Sequence, residues 1–385
     1  MPGRVPMKVR PACFALRLND TILDANALAS VCHDEAFMRR PGNVPRDKVT
    51  ISDVARRVGV ATSTVSRALT RPGRVSEGLR ERVIAAVAEL GYHPNPQARS
   101  LTSGRTGCIA LMVHDVVNPY YLGVIRGTQT QLRARGYRHL LVDLENSEDI
   151  ENDALAELPA SVDGLIAMGA HAPDELLVDI AQRVPLIVIN REIEGVPSVV
   201  VDTPAALVEA LEYVVSLGHR RIAYAAGPKP SWSSRMRWAA IEAASIRLGI
   251  ECLRLGPFAP GGQSGAAAAD AVLHSGVTAC IFFNDMLAIG ALKRFAAHGV
   301  SVPGDISIVG CDDIFGADFC NPPLTTIAAP TELVGRTATD MLLARLHETE
   351  HGMRPLPLRV KLPAPLVIRN SVTSARSGPA GSPRP

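Results

Sequence analysis

The chain has 385 residues, of which 47% are hydrophobic and 20% charged, and this is enough apolar material for two or three domain cores. It contains no run of about 18 uninterrupted apolar residues, so the sequence predicts no membrane-spanning helix and no membrane partner. The first 47 residues lack the pattern of a secretory signal, and we therefore expect a cytoplasmic protein.

Charge is unevenly distributed along the chain, although the net charge is only +2. Residues 46–105 carry eleven Lys and Arg against five Asp and Glu, a net charge of +6, whereas residues 106–385 carry a net charge of −6. A basic segment joined to a larger acidic body suggests that one end meets a polyanion while the rest has another task. Chance clustering of surface charge is the alternative.

The ends of the chain show no sustained periodicity. Residues 1–47 contain several prolines and are predicted to be a disordered leader, or the product of a start codon assigned too early. Residues 374–385, rich in Pro, Ser and Arg, are predicted to be a disordered tail. The cysteines are scattered without a spacing that suits zinc, so we expect reduced, mostly buried thiols and no metal site. They are Cys13, Cys32, Cys108, Cys252, Cys280, Cys311 and Cys320.

At Thr50 the pattern becomes that of a helix. Thr50 and Asp53 form a capping box, in which their side chains satisfy free N–H groups at a helix start. Gly59 ends this helix, and a second short one follows over Ser63–Leu69. The apolar residues of the first helix recur at helical spacing: Ile51, Val54, Ala55 and Val58. Two such helices joined by a tight turn predict a helix-turn-helix.

A third helix begins after Ser76 and ends at Gly91. Its predicted apolar stripe consists of Leu79, Val83, Ile84, Val87 and Leu90. Residues 48–94 are therefore predicted to form a three-helix headpiece. A further short helix is predicted over Asn95–Leu101, within a connecting segment 95–106, and it is too short to be stable alone.

From Gly107 short apolar runs with β propensity alternate with helical stretches. The runs are 108–113, 138–142, 162–168, 185–189, 198–201, 221–225, 279–283 and 306–310. Strands that alternate with helices predict an α/β fold with parallel sheets, and so many strands fit two doubly wound lobes with a cleft between them. Residues 107–373 are predicted to form this two-lobed domain.

Several motifs in order along the chain resemble the LacI/GalR family of bacterial repressors. In the headpiece they are Val49-Thr50-Ile51-x-Asp53-Val54-Ala55, Gly59-Val60-x-x-x-Thr64-Val65-Ser66-Arg67, Arg74-Val75-Ser76, Glu89-Leu90-Gly91-Tyr92-x-Pro94-Asn95 and Ala98-Arg99-Ser100-Leu101. In the body they are Gly218-His219-Arg220-Arg221-Ile222-Ala223, Asn284-Asp285-x-x-Ala288-Ile289-Gly290, Val302-Pro303-x-Asp305-Ile306-Ser307-Ile308-Val309-Gly310-x-Asp312-Asp313 and Pro323-Leu324-Thr325-Thr326-Ile327.

The resemblance covers roughly residues 48–373 and implies a bacterial regulator that binds operator DNA. It implies a hinge helix at residues 95–101 and a two-lobed effector domain similar to periplasmic sugar-binding proteins. It also implies a homodimer on near-palindromic sites, with the protein on the nucleoid when it is bound to DNA. The tail after Asn370 has no heptad repeat, which favours a dimer over a coiled-coil tetramer.

The exposed face of the second helix is predicted to read bases in the major groove. Arg67 can donate two hydrogen bonds to guanine, a contact worth about 1–3 kcal/mol. Ala61 stands where the family usually has a capping Ser, and Thr62 either takes over the cap or contacts a base. The predicted DNA-contacting residues are Ile51, Thr62, Ser63, Ser66, Arg67, Arg74, Asn95, Ala98 and Leu101. A three-helix bundle that touches no DNA is the alternative.

The hinge resembles a helix that folds against its dimer mate in the minor groove, where an apolar side chain unstacks a base step. Leu101 occupies the wedge position, or else it packs as an ordinary linker residue beneath the body.

Polar residues that follow the strands predict a site for a small effector, because open α/β sheets bind ligands at the carboxyl ends of strands. The predicted residues are Asp115, Tyr120, Tyr121, Asn190, Arg191, Ser231, Ser233, Arg237, Asn284 and Asp312. Of these, the family pattern implies effector contacts for Asn190, Ser231, Ser233, Arg237, Asn284 and Asp312. The set suits a sugar or a sugar-derived acid and needs no other cofactor. Arg191 with Arg237 would favour an anionic group.

Several residues have a second interpretation. Trp232 or Phe258 could stack on a sugar or belong to the core, and Asp285 and Asp313 could cap a helix or turn. No G-x-G-x-x-G, P-loop or nucleophile elbow is present, which argues against an enzyme. A transport-type binding protein is disfavoured by the fused basic headpiece.

Overall fold

A computed structural model describes residues 49–70, 72–92, 105–351 and 358–375. The chain divides into two units, Met1–Pro94 and Asn95–Pro385, which are considered separately. The predicted leader, the hinge residues Asn95, Ala98 and Leu101, and residues 376–385 of the predicted tail lie outside the described residues.

The headpiece contains helices α1 (Ile51–Val58), α2 (Thr62–Thr70) and α3 (Glu77–Leu90), with a 3₁₀ turn at Pro72–Arg74. The Asp53 carboxylate accepts hydrogen bonds from the backbone N–H and the hydroxyl of Thr50, at 2.9 and 2.7 Å. Gly59 ends α1 with a φ of 77°, a conformation that a side chain would strain. The capping signals therefore set both ends of the first helix.

The headpiece core lies where the three helices meet, around Val54, Val58, Val65 and Val83. One residue of the stripe expected on α3, Ile84, is instead 47% exposed, and Ala86 is buried in the core. On an α-helix Val83 and Ala86 lie on one face, whereas Ile84 is rotated about 100° away from Val83. The packing of the three helices therefore buries Val83 and Ala86 and leaves Ile84 at the surface.

The second unit is built from alternating strands and helices. The strands are β1 (Cys108–Val113), β2 (Arg138–Asp143), β3 (Gly164–Met168), β4 (Leu186–Ile189), β5 (Ser198–Val201), β6 (Arg221–Ala225), β7 (Glu251–Leu255), β8 (Ala279–Phe282), β9 (Ser307–Val309), β10 (Thr326–Ile327), β11 (Arg359–Leu362) and β12 (Leu366–Val367). The helices are α4 (Tyr120–Ala134), α5 (Glu148–Glu157), α6 (Asp174–Arg183), α7 (Thr203–Ser216), α8 (Trp232–Leu248), α9 (Gly265–Ser275), α10 (Asp285–Ala297) and α11 (Thr331–His351).

Two parallel sheets define two lobes. The first has the strand order β11-β5-β4-β3-β1-β2, and the second has the order β7-β6-β8-β9. In the first sheet Leu111 of β1 lies opposite Leu141 of β2 and Ile166 of β3. Buried helix residues cover both faces of each sheet. The expected α/β fold with two doubly wound lobes is thereby confirmed.

The chain passes between the lobes after β5, between β10 and α11, and between β11 and β12. Helix α11 thus returns to the first lobe and packs along α4. Glycines allow this close approach: a Cβ on Gly127 would lie 2.2 Å from the Glu332 carbonyl oxygen, and one on Gly335 would lie 2.2 Å from that of Val124. The crossings leave the carboxyl ends of both sheets facing a common cleft.

All eight expected apolar runs contain strands, but β7, β10, β11 and β12 were not expected. Strands β7 and β11 lie at sheet edges, and each contains exposed charged residues among half-buried ones. Strands β10 and β12 span only two residues each. Edge strands and very short strands lack the continuous apolar run of a central parallel strand.

The described chain continues past the expected start of the tail. The backbone N–H of Ala375 donates to the carbonyl of Leu217 at 2.9 Å. Among the described residues, no helix combines the length and apolar character needed to cross a membrane.

Candidate functional site

The exposed side of α2 carries the residues expected to read DNA. Thr62, Ser63, Ser66 and Arg67 are all exposed, whereas Val65 on the opposite side is fully buried. Helical geometry therefore places four hydrogen-bonding side chains on one outward face and anchors the helix through the other.

Arg67 lies folded along its own helix. Its Nε donates to the Ser63 carbonyl at 3.1 Å, and its Nη2 donates to the Ser63 hydroxyl at 3.3 Å. These contacts are exposed and therefore weak, so the guanidinium can exchange them for a stronger acceptor. The carbonyl of Ala61 accepts from Thr64 N–H and Val65 N–H, at 2.9 and 3.2 Å. Ala61 thus holds the cap position and Thr62 the first helical position, so Thr62 does not replace the missing Ser.

The rest of the predicted DNA surface is mixed. Arg74 is exposed in the 3₁₀ turn, whereas Ile51 is half-buried and packs against the headpiece core. Nearby, Arg57 pairs with Glu89 at 2.9 Å, with both side chains more than half exposed. Exposed ion pairs contribute little stability, so such an arginine can turn to a phosphate at small cost.

A solvent-open cleft lies between the two lobes of the second unit. Eight of the ten expected effector residues line it: Tyr120, Tyr121, Asn190, Ser231, Ser233, Arg237, Asn284 and Asp312. Parallel strand ends from both sheets thus bring polar groups together across the lobes.

Arg237 on α8 is the buried cation of the cleft. Its Nε donates to the Thr203 hydroxyl at 3.0 Å and its Nη1 to the Phe283 carbonyl at 2.6 Å, while the guanidinium lies 4.9 Å from the centroid of the Phe283 ring. Its Nη2 is 3.9 Å from Asp312 Oδ1, with both side chains less than a tenth exposed. The guanidinium is thereby held in place and its charge is balanced.

Asp312 follows β9 with a φ of 126°, a strained conformation for a residue with a side chain. Its backbone N–H donates to the Ile327 carbonyl at 2.8 Å, which holds this conformation. Burial raises the pKa of Asp312 well above its usual range, and Arg237 opposes that shift. The carboxyl is therefore poorly solvated and is suited to pair with a buried donor.

Asn190 connects several parts of the cleft and has a φ of 57°. Its Nδ2 donates to the Tyr120 hydroxyl oxygen at 2.7 Å, and its Oδ1 accepts from the Val201 N–H at 3.2 Å. Its carbonyl accepts a hydrogen bond from the Ser233 hydroxyl at 3.2 Å, which joins the first lobe to the second. Burial raises the pKa of Tyr120, so its phenol stays neutral.

Two lining residues also cap helices. The Asn284 side chain accepts from Leu287 N–H at 2.9 Å at the start of α10 and donates to the Pro260 carbonyl at 2.8 Å. The Ser231 hydroxyl accepts from Ser234 N–H at 3.2 Å at the start of α8. Capping fixes both side chains in the lining of the cleft.

Two expected residues do not line the cleft, and these predictions are corrected. Arg191 is buried and donates to the carbonyls of Ala170 and Ala172, at 2.6 and 2.7 Å, and pairs with Asp174. Its guanidinium is thus used inside the first lobe. Asp115 accepts from the Val117 N–H at 2.9 Å and shapes the loop after β1.

The cleft also has lining residues that were not predicted as effector contacts, among them His114, His171, Asn146 and Phe283. The His114 and His171 rings stack with centroids 4.3 Å apart. Burial, then His114 and the guanidiniums of Arg191 and Arg235, lower the pKa of His171 to about 4. Phe283 lines the cleft, whereas Trp232 and Phe258 are not among its lining residues. Each residue follows a strand, so a complete search of the strand ends would have found them.

Asp285 is not the cap of α10, because Asn284 has that role. The Asp285 carboxylate is buried, and it accepts from the Thr326 hydroxyl at 2.6 Å and from Ile314 N–H at 3.0 Å. Burial raises its pKa to about 6. It holds together the loops that carry Asp312. Asp313 pairs with Arg369 at 2.7 Å instead of capping a turn.

Two family models match the chain. That of the bacterial regulatory proteins, lacI family, matches residues 50–95, and that of the periplasmic binding protein-like domain matches residues 211–372. Among curated proteins, the HTH-type transcriptional repressor CytR of Escherichia coli (strain K12) is 32% identical over 311 residues, which cover 79% of this chain and 91% of CytR.

Solved structures show the same similarity. A lac repressor dimer bound to operator and the anti-inducer ONPF gives a TM-score of 0.73 at 29% identity, over 84% of this chain and 99% of the repressor chain. A complex of the transcriptional regulator CelR with cellobiose gives 0.62 at 30% identity, over 84% and 99% of the two chains. By its identity to CytR and the match of its headpiece, this chain belongs to the lacI family of bacterial regulatory proteins and is a DNA-binding transcriptional regulator, not an enzyme.

Proposed function

We propose that the protein is a repressor that binds a near-palindromic operator as a homodimer and changes its DNA affinity when a sugar or sugar-derived ligand occupies the cleft. The observation that carries this proposal is that one chain has both an outward-facing recognition helix and a polar cleft lined by two lobes. A lac repressor dimer bound to operator and a CelR complex with cellobiose support it by similarity.

At the DNA end, Arg67 is the principal base reader of α2. Its planar guanidinium can match the O6 and N7 atoms of a guanine, whereas Thr62, Ser63 and Ser66 have short side chains that each make at most one or two contacts. One headpiece reads only a few base pairs, so two headpieces are needed for useful specificity. This requirement supports a dimer on a near-palindromic site.

At the ligand end, the chemistry of the cleft favours a hydroxyl-rich ligand. Its amide, hydroxyl and phenol groups can both donate and accept, and Phe283 adds an apolar lining residue. Arg237 already faces Asp312, and Arg191 is bound within the first lobe, so these two guanidiniums do not offer a free pair to a carboxylate or phosphate. A neutral sugar therefore fits better than a sugar acid.

Coupling between the ends is proposed to run through residues 95–101, which lie outside the described residues; Asn95, Ala98 and Leu101 have their roles from the family pattern. The Ser233–Asn190 hydrogen bond joins the lobes across the cleft, so a ligand that changes lobe closure can move the start of the second unit. A helix too short to persist alone would respond to such a change.

A gel-shift titration with DNA from upstream of the protein's own gene tests the proposal. We expect salt-sensitive binding centred on a palindrome, and a large loss of affinity when the site is cut to one half. A thermal-shift screen of sugars, sugar acids and sugar phosphates identifies the ligand, because a ligand that binds the folded state raises the melting temperature. Binding that ignores sequence and every ligand would contradict the proposal.

A further inference from the structure

Three side chains with metal-binding atoms meet at the floor of the cleft in the first lobe. His114 follows β1, Glu151 lies on α5, and His171 follows β3. Their nearest ligand atoms all lie within 4.8 Å of one another. The two imidazoles line the cleft, whereas Glu151 lies behind them and is only 2% exposed.

The His114 ring is oriented by a hydrogen bond between its Nε2 and the Gly169 carbonyl, at 2.8 Å. A carbonyl can only accept, so Nε2 has the proton and Nδ1 has a free lone pair. Gly169 has a φ of 67°, and a Cβ there would lie 3.2 Å from the His114 ring. Metal-binding histidines are typically held in this way, with the second nitrogen donating to a backbone carbonyl.

Glu151 is a buried carboxylate whose charge lacks a cationic partner. Its oxygens accept from the backbone N–H groups of His171 at 2.9 Å and Ala172 at 3.2 Å. No Lys or Arg in the described parts of the chain forms an ion pair with it. Burying an unpaired carboxylate is costly, and a divalent cation bound in front of it would supply the missing charge.

The spacing suits one ion only after the side chains move closer together. Two ligands of a tetrahedral Zn²⁺ lie about 3.4 Å apart, since each bond is about 2.0–2.2 Å long. The three ligand atoms lie within 4.8 Å of one another, so the widest separation must contract by up to about 1.4 Å, which requires rotation of the side chains when the ion binds.

We propose that His114, Glu151 and His171 form a site for a divalent transition metal, with Zn²⁺ as the best fit. Two imidazoles and one carboxylate suit Zn²⁺ and are too rich in nitrogen for Mg²⁺ or Ca²⁺. The remaining coordination positions face the cleft, where oxygen atoms of a bound ligand can occupy them. The sequence predicted no metal site, because these three residues are too far apart in the chain to show a metal-ligand spacing. The proposal revises that expectation.

The test uses the purified full-length protein, stripped with a chelator and titrated with Zn²⁺ alone by calorimetry. Glu151→Gln keeps an oxygen that can accept from the His171 and Ala172 N–H groups but removes the charge. We expect it to weaken Zn²⁺ binding by at least about 10-fold. Glu148→Gln is the matched control, because Glu148 is exposed on the same helix; its affinity should equal that of the wild type.

Titration with Co²⁺ identifies the ligands independently. Coordination by imidazole and carboxylate gives visible d–d bands without the charge-transfer absorption of a thiolate. We expect these bands in the wild type and in Glu148→Gln, and their loss in His171→Ala and Glu151→Gln. Circular dichroism in the absence of metal shows whether the variants are folded. Absence of Co²⁺ bands in the wild type, or equal Zn²⁺ affinity in wild type and folded Glu151→Gln, overturns the proposal.

Discussion

The α2 face and the cleft hold their functional side chains in different ways. On α2, Thr62, Ser63 and Arg67 protrude from one short helix whose other side is packed, and few of their contacts support the fold. In the cleft, Arg237 and Asp312 are buried and bonded to residues from several elements. Substitutions on α2 should therefore change DNA binding with little effect on stability, whereas substitutions in the cleft should change ligand binding and stability together.

The largest effect is expected for Arg237→Ala. It leaves the Asp312 carboxyl buried without its cation and the Phe283 carbonyl without its donor, so the free energy of unfolding should fall by about 3–5 kcal/mol. Ligand binding should be lost as well. Melting temperatures measure the change, with the exposed neighbour Arg235→Ala as control, for which we expect a change within about 0.5 kcal/mol. Equal melting temperatures for the two variants would show that Arg237 does not stabilise the fold, and would contradict the expected coupling of stability and ligand binding in the cleft.

The buried Asp285 carboxyl should make the stability of the cleft region depend on pH. Burial raises its pKa in the folded state to about 6 from 3.8, so its stabilising contribution is present below about pH 4 and is lost as the pH rises through 6. Relative to Asp285→Asn, the wild type should lose about 3 kcal/mol over that window. Melting temperatures at several pH values follow it, with the exposed Asp318→Asn as control. If the difference in melting temperature between the wild type and Asp285→Asn does not vary with pH, the Asp285 carboxyl is solvated and its pKa is not raised.

Arg67→Ala should weaken operator binding by about 1–3 kcal/mol per headpiece without lowering the melting temperature. Arg67→Lys keeps the charge but loses the planar pair of donors, so it should retain binding to nonspecific DNA while losing preference for the operator. The ratio of affinities for operator and scrambled DNA at fixed salt measures this. A variant that melts early would show that α2 is not independent of the core.

The smallest effect is expected for Ser233→Ala, which removes the hydrogen bond between the lobes and should cost about 1 kcal/mol in stability or ligand affinity. Ser234 is a matched control, because its buried hydroxyl has no hydrogen-bond partner among the described residues. Ser234→Ala should therefore be neutral or slightly stabilising. Calorimetric ligand titration and melting curves distinguish the two serines; a larger loss in Ser234→Ala would reverse the assignment.

The accuracy of the sequence predictions differs between these regions for a physical reason. The α2 face follows from one helical period, so each residue's side is set by its position. In the cleft, Asn190 and Arg191 are neighbours at a strand end, and the strand-end rule selected both. Asn190 has a left-handed backbone conformation, and its side chain bonds to Tyr120 and Val201 at the cleft, whereas the Arg191 guanidinium bonds to carbonyls within the first lobe. Which of the two faces the cleft depends on where the second lobe packs.

Local patterns in the sequence were sufficient for the headpiece helices, the central strands, the family and eight of the ten cleft residues, because capping, periodicity and apolar runs act over a few residues. Tertiary structure decided that Ile84 faces outward, that β7 and β11 complete sheet edges, and that Arg191 is used within its own lobe. It also brought His114, Glu151 and His171 together, since their proximity arises only when β1, β3 and α5 pack side by side.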